Sequence, residues 1–238
     1  LVAEGFTAAE QTDFETAADA FVTTMQATAP YDDASVWQRL NVYRLDVESD
    51  DSGADNPLTC PDDPVGYVPL PPETAETYLQ TGFCSSSIRR LLTVTELDTL
   101  LADLDTFAPA WDAAVVIVNH LEYGGAGDEA NSIATCSLDV RSSLIAIHEL
   151  GHVLGLRDEY DVASGDVYPG SEPDDPNITT DPAGAKWAGL ITASNLPTWP
   201  SPDCTLSNEG AIDPEPGAIG TYEGADYYHC GIYRPAHD

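Results

Sequence analysis

The sequence predicts an α/β (α+β) protein built on a twisted mixed sheet backed by helices, with an irregular C-terminal part. Three observations lead there. Amphipathic or apolar helical patterns occupy two long segments, near residues 8–28 and 143–154. Between them lies Ala113-Ala-Val-Val-Ile-Val118, an apolar run too short for a helix and suited to a strand buried on both faces. After Gly155 the periodicity fades, and Pro, Gly and acidic residues dominate. We expect one domain of two parts, 1–155 and 156–238.

The elements follow in order. Thr7-Ala-Ala-Glu10 has capping-box spacing, so a helix should run from there to about Thr28, ahead of Pro30. Leu40 to Val47 alternates like a strand. Glu48 to Pro72 is acidic, rich in Pro and Gly, and reads as a long loop. Ser87 to Thr93 and Thr95 to Phe107 suggest short helices, the second opened by Thr95-Glu-Leu-Asp98. The buried strand 113–118 is followed by the flexible turn Tyr123-Gly-Gly-Ala-Gly127 and a short strand around Ser132 to Ser137. Asp139 or Ser142 can cap a helix from Ser143 to about Leu154. Beyond residue 158 only Ala185 to Ala193 reads as helical.

The 238 residues hold 8 Lys+Arg against 41 Asp+Glu, a net charge of −33, and Lys186 is the only lysine. Nucleic acid is excluded as a partner, because binding phosphate needs a basic patch. Membrane insertion is excluded too, since no apolar run approaches the ~18 residues a span requires. Asp46, Glu48, Asp50, Asp51 and Asp55 are close enough in sequence to hold calcium, or they form a solvated acidic loop; their spacing is not that of an EF-hand. The five cysteines form no Cys-x-x-Cys pair. Scattered through Pro/Gly-rich loops, they favour disulfides and an extracytoplasmic location over reduced thiols in a cytosol. Cys60–Cys84 and Cys204–Cys230 are the expected bridges, each local to one region, with one cysteine left over.

Chemistry concentrates in Ile147-His-Glu-Leu-Gly-His-Val-Leu-Gly-Leu-Arg-Asp-Glu-Tyr160. His148 and His152 are four apart, so on a helix they share a face with Cβ atoms ~5–6 Å apart, and both imidazoles can reach one zinc ion. Glu149 stands where it can take a proton from a metal-activated water. Leu144, Ile145, Ile147, Val153 and Leu154 make the surrounding helix apolar, so burying two histidines and a glutamate there would be costly without a purpose. Gly155 can turn the chain back, and Asp158 occupies the place of the third histidine in the long metzincin motif. Asp158 is the expected third ligand; Glu159 and Glu172 are its rivals.

That block, with Asn41-Val-Tyr43, Asp51-Ser-Gly-Ala-Asp-Asn-Pro57, Arg90-Leu-Leu92, Val116-Ile-Val-Asn119, Tyr123-Gly-Gly125, Glu172-Pro173, Pro176-Asn-Ile-Thr179, Lys186-Trp187, Tyr222-Glu-Gly-Ala225 and Gly231-Ile-Tyr-Arg-Pro235, resembles the IgA-peptidase family of bacterial secreted zinc metallopeptidases. The zinc motif is common to many families; the Gly-Leu-x-Asp-Glu-Tyr extension and the Tyr-Arg-Pro ending are more selective. The resemblance implies a zincin or metzincin-like catalytic domain, a zinc cofactor, secretion and endopeptidase activity. The family pattern continues to a further cysteine and methionine, so a few residues are expected to be missing after Asp238. Met25, the only methionine, should be a packing residue. No residue here encodes recognition of an immunoglobulin.

The expected reaction is hydrolysis of a protein or peptide substrate by a monomer, with Glu149 as general base. The strand at Ile133 to Ser137 is either the sheet edge on which an extended substrate lies or an ordinary covered strand. Tyr227, Tyr228, His229 and Tyr233 are candidates to stabilise the transition state, Tyr160 to orient the Asp158-Glu159 turn, and His120 to be structural. The alternative is an extracellular binding domain that keeps a zinc site and does no chemistry; a structural site would need no base at Glu149.

Overall fold

The strand at Ala114–Val118 organises the first half of the molecule, because side chains alternate across a sheet and every one of its five residues is buried. Val115 and Ile117 join one apolar cluster; Ala114, Val116 and Val118 join another on the opposite face. The structure, a computed structural model, describes residues 1–161, 165–208 and 211–237. It divides into two compact units, Leu1–Val153 and Leu154–Asp238.

The first unit comprises β1 (Val2–Glu4), α1 (Gln11–Gln26), α2 (Ala34–Trp37), α3 (Leu97–Phe107), β2 (Ala114–Val118), β3 (Gly125–Asp128), β4 (Ile133–Ser137) and α4 (Ser142–Val153). Its mixed sheet has the order β1-β2-β4-β3, parallel except for β3, which runs antiparallel along β4. Phe14, Ala18, Phe21 and Met25 of α1 and Ala146, Ile147 and Leu150 of α4 cover one face, so Met25 is a packing residue. Leu100 and Leu104 of α3, with Leu79, Phe83 and Leu92, cover the other. Around Thr7 the Glu10 carboxylate accepts from both the backbone N–H and the hydroxyl, starting α1 through a 3₁₀ turn. Glu4 is fully buried, and its carboxylate accepts from Thr77 Oγ1, Leu79 N, Thr81 N and Thr81 Oγ1, tying β1 to residues 77–81.

The second unit contains β5 (Gly165–Val167), β6 (Tyr222–Ala225) and β7 (Tyr228–Arg234), in the order β5-β7-β6. Its described apolar cluster is small: Ile178, Ala225 and Ile232 are buried, with Tyr168 and Tyr228 against them. Trp187, Tyr222 and Cys230 are buried outside it, and polar ties add to these. Lys186 donates to the carbonyls of Pro173, Asp175 and Ile178, so the single lysine closes a loop rather than serving a ligand. Arg234, 3% exposed, donates to the Ala236 and His237 carbonyls. Both expected disulfides are present, one per unit, and Cys136 is left over as a buried thiol in β4. Among the described residues no helix is long and apolar enough to cross a membrane.

Four expectations need correction. Leu40–Val47 is not a strand: it makes one isolated bridge, Leu45 to Val2, and only Leu45 and Val47 pack on the apolar clusters while Val42 and Tyr43 are exposed. Ser87–Thr93 is not a helix, because Cys84, Ser86 and Ser87 take positive φ and confine helical geometry to a 3₁₀ turn at Ser85–Ser87. Ala185–Ala193 shortens to a 3₁₀ stretch, Ala185–Leu190, broken at Trp187. The turn expected at Tyr123–Gly127 becomes strand from Gly125 onward, as β3, and of the two readings of the strand at 133–137 the covered one holds, because β3 lies outside it.

Candidate metal centre

α4 starts under firm control. Ser142 N donates to Asp139 O, and its hydroxyl meets Ser137 Oγ at 2.8 Å while accepting from Gly124 N. The helix then buries Ala146, Ile147 and Leu150 and leaves His148, Glu149 and His152 half-buried on another side. The two imidazoles stand nearly perpendicular, with their Nε2 atoms 3.2 Å apart. Two nitrogens bound to one tetrahedral zinc at ~2.0–2.1 Å would be ~3.3 Å apart, so the pair fits that ion. Glu149 Oε2 lies 3.9 Å from His152 Nε2.

Opposite Glu149 runs β3. A Cβ at Gly127 would stand 2.0 Å from Glu149 Oε2, so glycine there lets the carboxylate lie against the strand. Gly125 and Gly127 face α4, one beside Ile145 and the other beside Glu149. These glycines read as turn residues in the sequence. A glycine at alternate positions of a strand is the signal of close approach, but it needs the strand to be recognised first.

In the second unit Asp158 is 9% exposed, and Tyr227 donates its hydroxyl to Asp158 Oδ2 at 2.5 Å. Asp226 N donates to Asp158 O, and Tyr227 N to Tyr160 O, at 2.9 and 3.0 Å. The Tyr160 and Tyr227 rings meet edge to face, with hydroxyls 3.2 Å apart. Burial raises the pKa of both phenols, and the Asp158 carboxylate adds to it. Asp226 and Tyr227 form the two-residue turn between β6 and β7, both at positive φ (48° and 70°). Such turns favour Asn-Gly; a left-handed conformation costs a bulky residue roughly 1–2 kcal/mol.

The family model for IgA Peptidase M64 matches residues 1–211, which include the whole His148–Tyr160 block. The chain belongs to that family. No curated protein matches it. The IgA Peptidase M64 match stops short of Tyr222–Ala225 and Gly231–Pro235, two segments that carried part of the sequence resemblance. Membership makes the chain one of a peptidase family of metallo type, and two imidazoles converging on one helix suit that class.

The other candidates are engaged elsewhere in this IgA Peptidase M64 chain. Glu172 accepts from the Thr179 and Thr180 hydroxyls and Thr180 N and pairs with Lys186 at 3.2 Å, so it serves the loop. Burial alone would raise its pKa, but those hydrogen bonds outweigh it and hold the carboxyl at about 2. Glu159 is half-buried. His229 Nδ1 lies 3.4 Å from the buried carboxylate of Asp161, which also accepts from Ser207 Oγ and Asn208 N. Tyr228 stacks edge to face on Tyr168, and the Tyr233 backbone bridges to Thr179. His120 is buried against Phe83 and accepts from Glu122 N, in keeping with a structural residue.

The acids near Asp51 do not gather. Among the described residues no group of three or more potential ligands includes Asp46, Glu48, Asp50, Asp51 or Asp55. Asp46 pairs with Arg44, Asp51 caps Glu76 N, and Asp55 accepts from Ala75 N. The loop therefore offers no cage of clustered carboxylates for calcium.

Proposed function

We propose that this IgA Peptidase M64 member is a metzincin-like, zinc-dependent endopeptidase. It is exported to an oxidising compartment and acts as a monomer, with its two units serving one catalytic domain. A single observation carries the reading: two Nε2 atoms converge to 3.2 Å on one face of α4 with a carboxylate beside them. His148, His152 and Asp158 are the ligand set, three donors that leave a catalytic zinc its open position. The positive φ of Gly155 (+81°) and the Gly-x-x-Asp spacing support Asp158 over Glu159. Two disulfides support export.

Bound zinc would supply Lewis acidity toward the scissile carbonyl and a water of pKa near ~7. Glu149 takes the proton of the attacking water and returns it to the leaving amine. The substrate backbone lies along β3 as an added strand. Gly124 O accepts from Ser137 N, so ladder alternation turns the backbone groups of Gly125 and Gly127 outward. Gly125 N is bonded to Arg90 O, which makes Gly127, beside Glu149, the pairing point nearest the chemistry.

Metal analysis of the purified protein with a casein digest tests this. Equimolar zinc, cleavage abolished by a chelator and cleavage restored by zinc are expected. A zinc-loaded protein that leaves casein and a peptide library uncut would sink the peptidase reading and leave a zinc-bearing binding domain.

A further inference from the structure

We propose that Tyr227 is a positioning residue for Asp158, and that the β6–β7 turn exists in its unfavourable conformation to hold that carboxylate. The inference deepens the metallopeptidase reading and depends on Asp158 being a ligand. The turn makes three contacts with one short segment: Asp226 N to Asp158 O, Tyr227 N to Tyr160 O, and Tyr227 OH to Asp158 Oδ2. The first two fix the backbone on either side of Glu159. The third fixes the rotation of the carboxylate itself. Tyr160 adds to the arrangement, its ring edge to face with Tyr227 and its hydroxyl bonded to the Asp158 side chain.

Asp226 suits the first position of such a turn, but Tyr227 is not the residue a hairpin would choose at the second. A two-residue turn with both φ positive is most easily made by Asn-Gly, yet a tyrosine sits at φ 70°. Glycine could not donate a hydroxyl. Backbone strain retained at a bond to a candidate ligand is the pattern expected when the strained residue serves the site. Partners that hydrogen-bond a metal ligand typically govern affinity by about 10–100-fold. The same commitment to Asp158 argues against Tyr227 as the group that meets the transition state.

The test is zinc affinity of the full chain by competition with a chromogenic chelator, for the parent, Tyr227→Phe, Asp158→Asn and the double variant. Tyr227→Phe should weaken zinc about tenfold, Asp158→Asn more, and the double variant no further than Asp158→Asn. Parent-like affinity in Tyr227→Phe while Asp158→Asn loses zinc would overturn the positioning role alone. Parent-like affinity in Asp158→Asn would instead remove Asp158 from the ligand set, and the proposal with it. Asp226→Asn combined with Tyr227→Gly relaxes the turn while deleting the hydroxyl. It should melt no lower than the parent yet bind zinc like Tyr227→Phe; restored affinity would contradict the proposal.

Discussion

Residues Leu1–Val153 and Leu154–Asp238 are held by different means. In the first unit a four-stranded sheet lies between two apolar layers, with α1 and α4 on one face and α3 on the other. In the second, the described apolar cluster has three buried members, with Trp187, Tyr222 and Cys230 buried outside it, and further order comes from Lys186 and Arg234 on backbone carbonyls, buried Asp161, and Cys204–Cys230. The histidine pair and Glu149 stand on a helix anchored in the apolar unit; Asp158 belongs to the polar one. The unit that carries the proposed imidazole pair is held by packing. The unit that carries Asp158, the proposed oxygen donor, is held largely by hydrogen bonds and a covalent link.

The largest effect that would sharpen this contrast is loss of the second bridge. Replacing Cys204 and Cys230 by serine frees a 26-residue separation, at a cost of about 3–4 kcal/mol by loop entropy. Limited proteolysis should then cut within 154–238 while 1–153 persists. Replacing Cys60 and Cys84, separated by 24 residues, costs about as much but should leave the first unit folded on its larger core. Equal protease sensitivity of the two variants would break the comparison.

A smaller effect belongs to the first unit. Gly127→Ala must displace the Glu149 carboxylate, so kcat/KM should fall roughly tenfold, about 1.4 kcal/mol, with little change in thermal unfolding. Parent-like activity would show that Glu149 does not work from the position beside β3.

The smallest is a pH effect in the second unit. The folded Glu172 pKa of about 2 lies below its usual 4.5, so it contributes stability fully above about 4.5 that is lost as pH falls toward 2. Glu172→Gln should flatten acid unfolding between pH 5 and 2 slightly, the effect being screened at a half-exposed carboxylate. An unchanged acid transition would remove Glu172 from the set of ties.

The same contrast explains what could be read in advance. α1, β2 and α4 were legible because burial against a core imposes a period on the sequence, and the two bridges because each is local. The His148–His152 pair was legible because a helix turns i and i+4 onto one face. The β5-β7-β6 sheet was missed: Gly224 and Gly231, both at positive φ, and a bulge between Glu223 and Ala225 break the alternation that marks a strand. β4 was open to being read as an edge because strand order is a property of pairing, and nothing within Ile133–Ser137 reveals that β3 covers it. Tyr227 could be named as a candidate, but its target could not, since the bond to Asp158 joins residues 69 positions apart.

The central claim is that α4 carries both a metal pair and a base. It is tested most directly by Glu149→Gln, assayed for zinc content and for casein cleavage on the same preparation. The account predicts one equivalent of zinc, as in the parent, with kcat lowered about 10²–10⁴-fold. Parent-like cleavage by that variant, or a parent protein that binds no zinc, would contradict it.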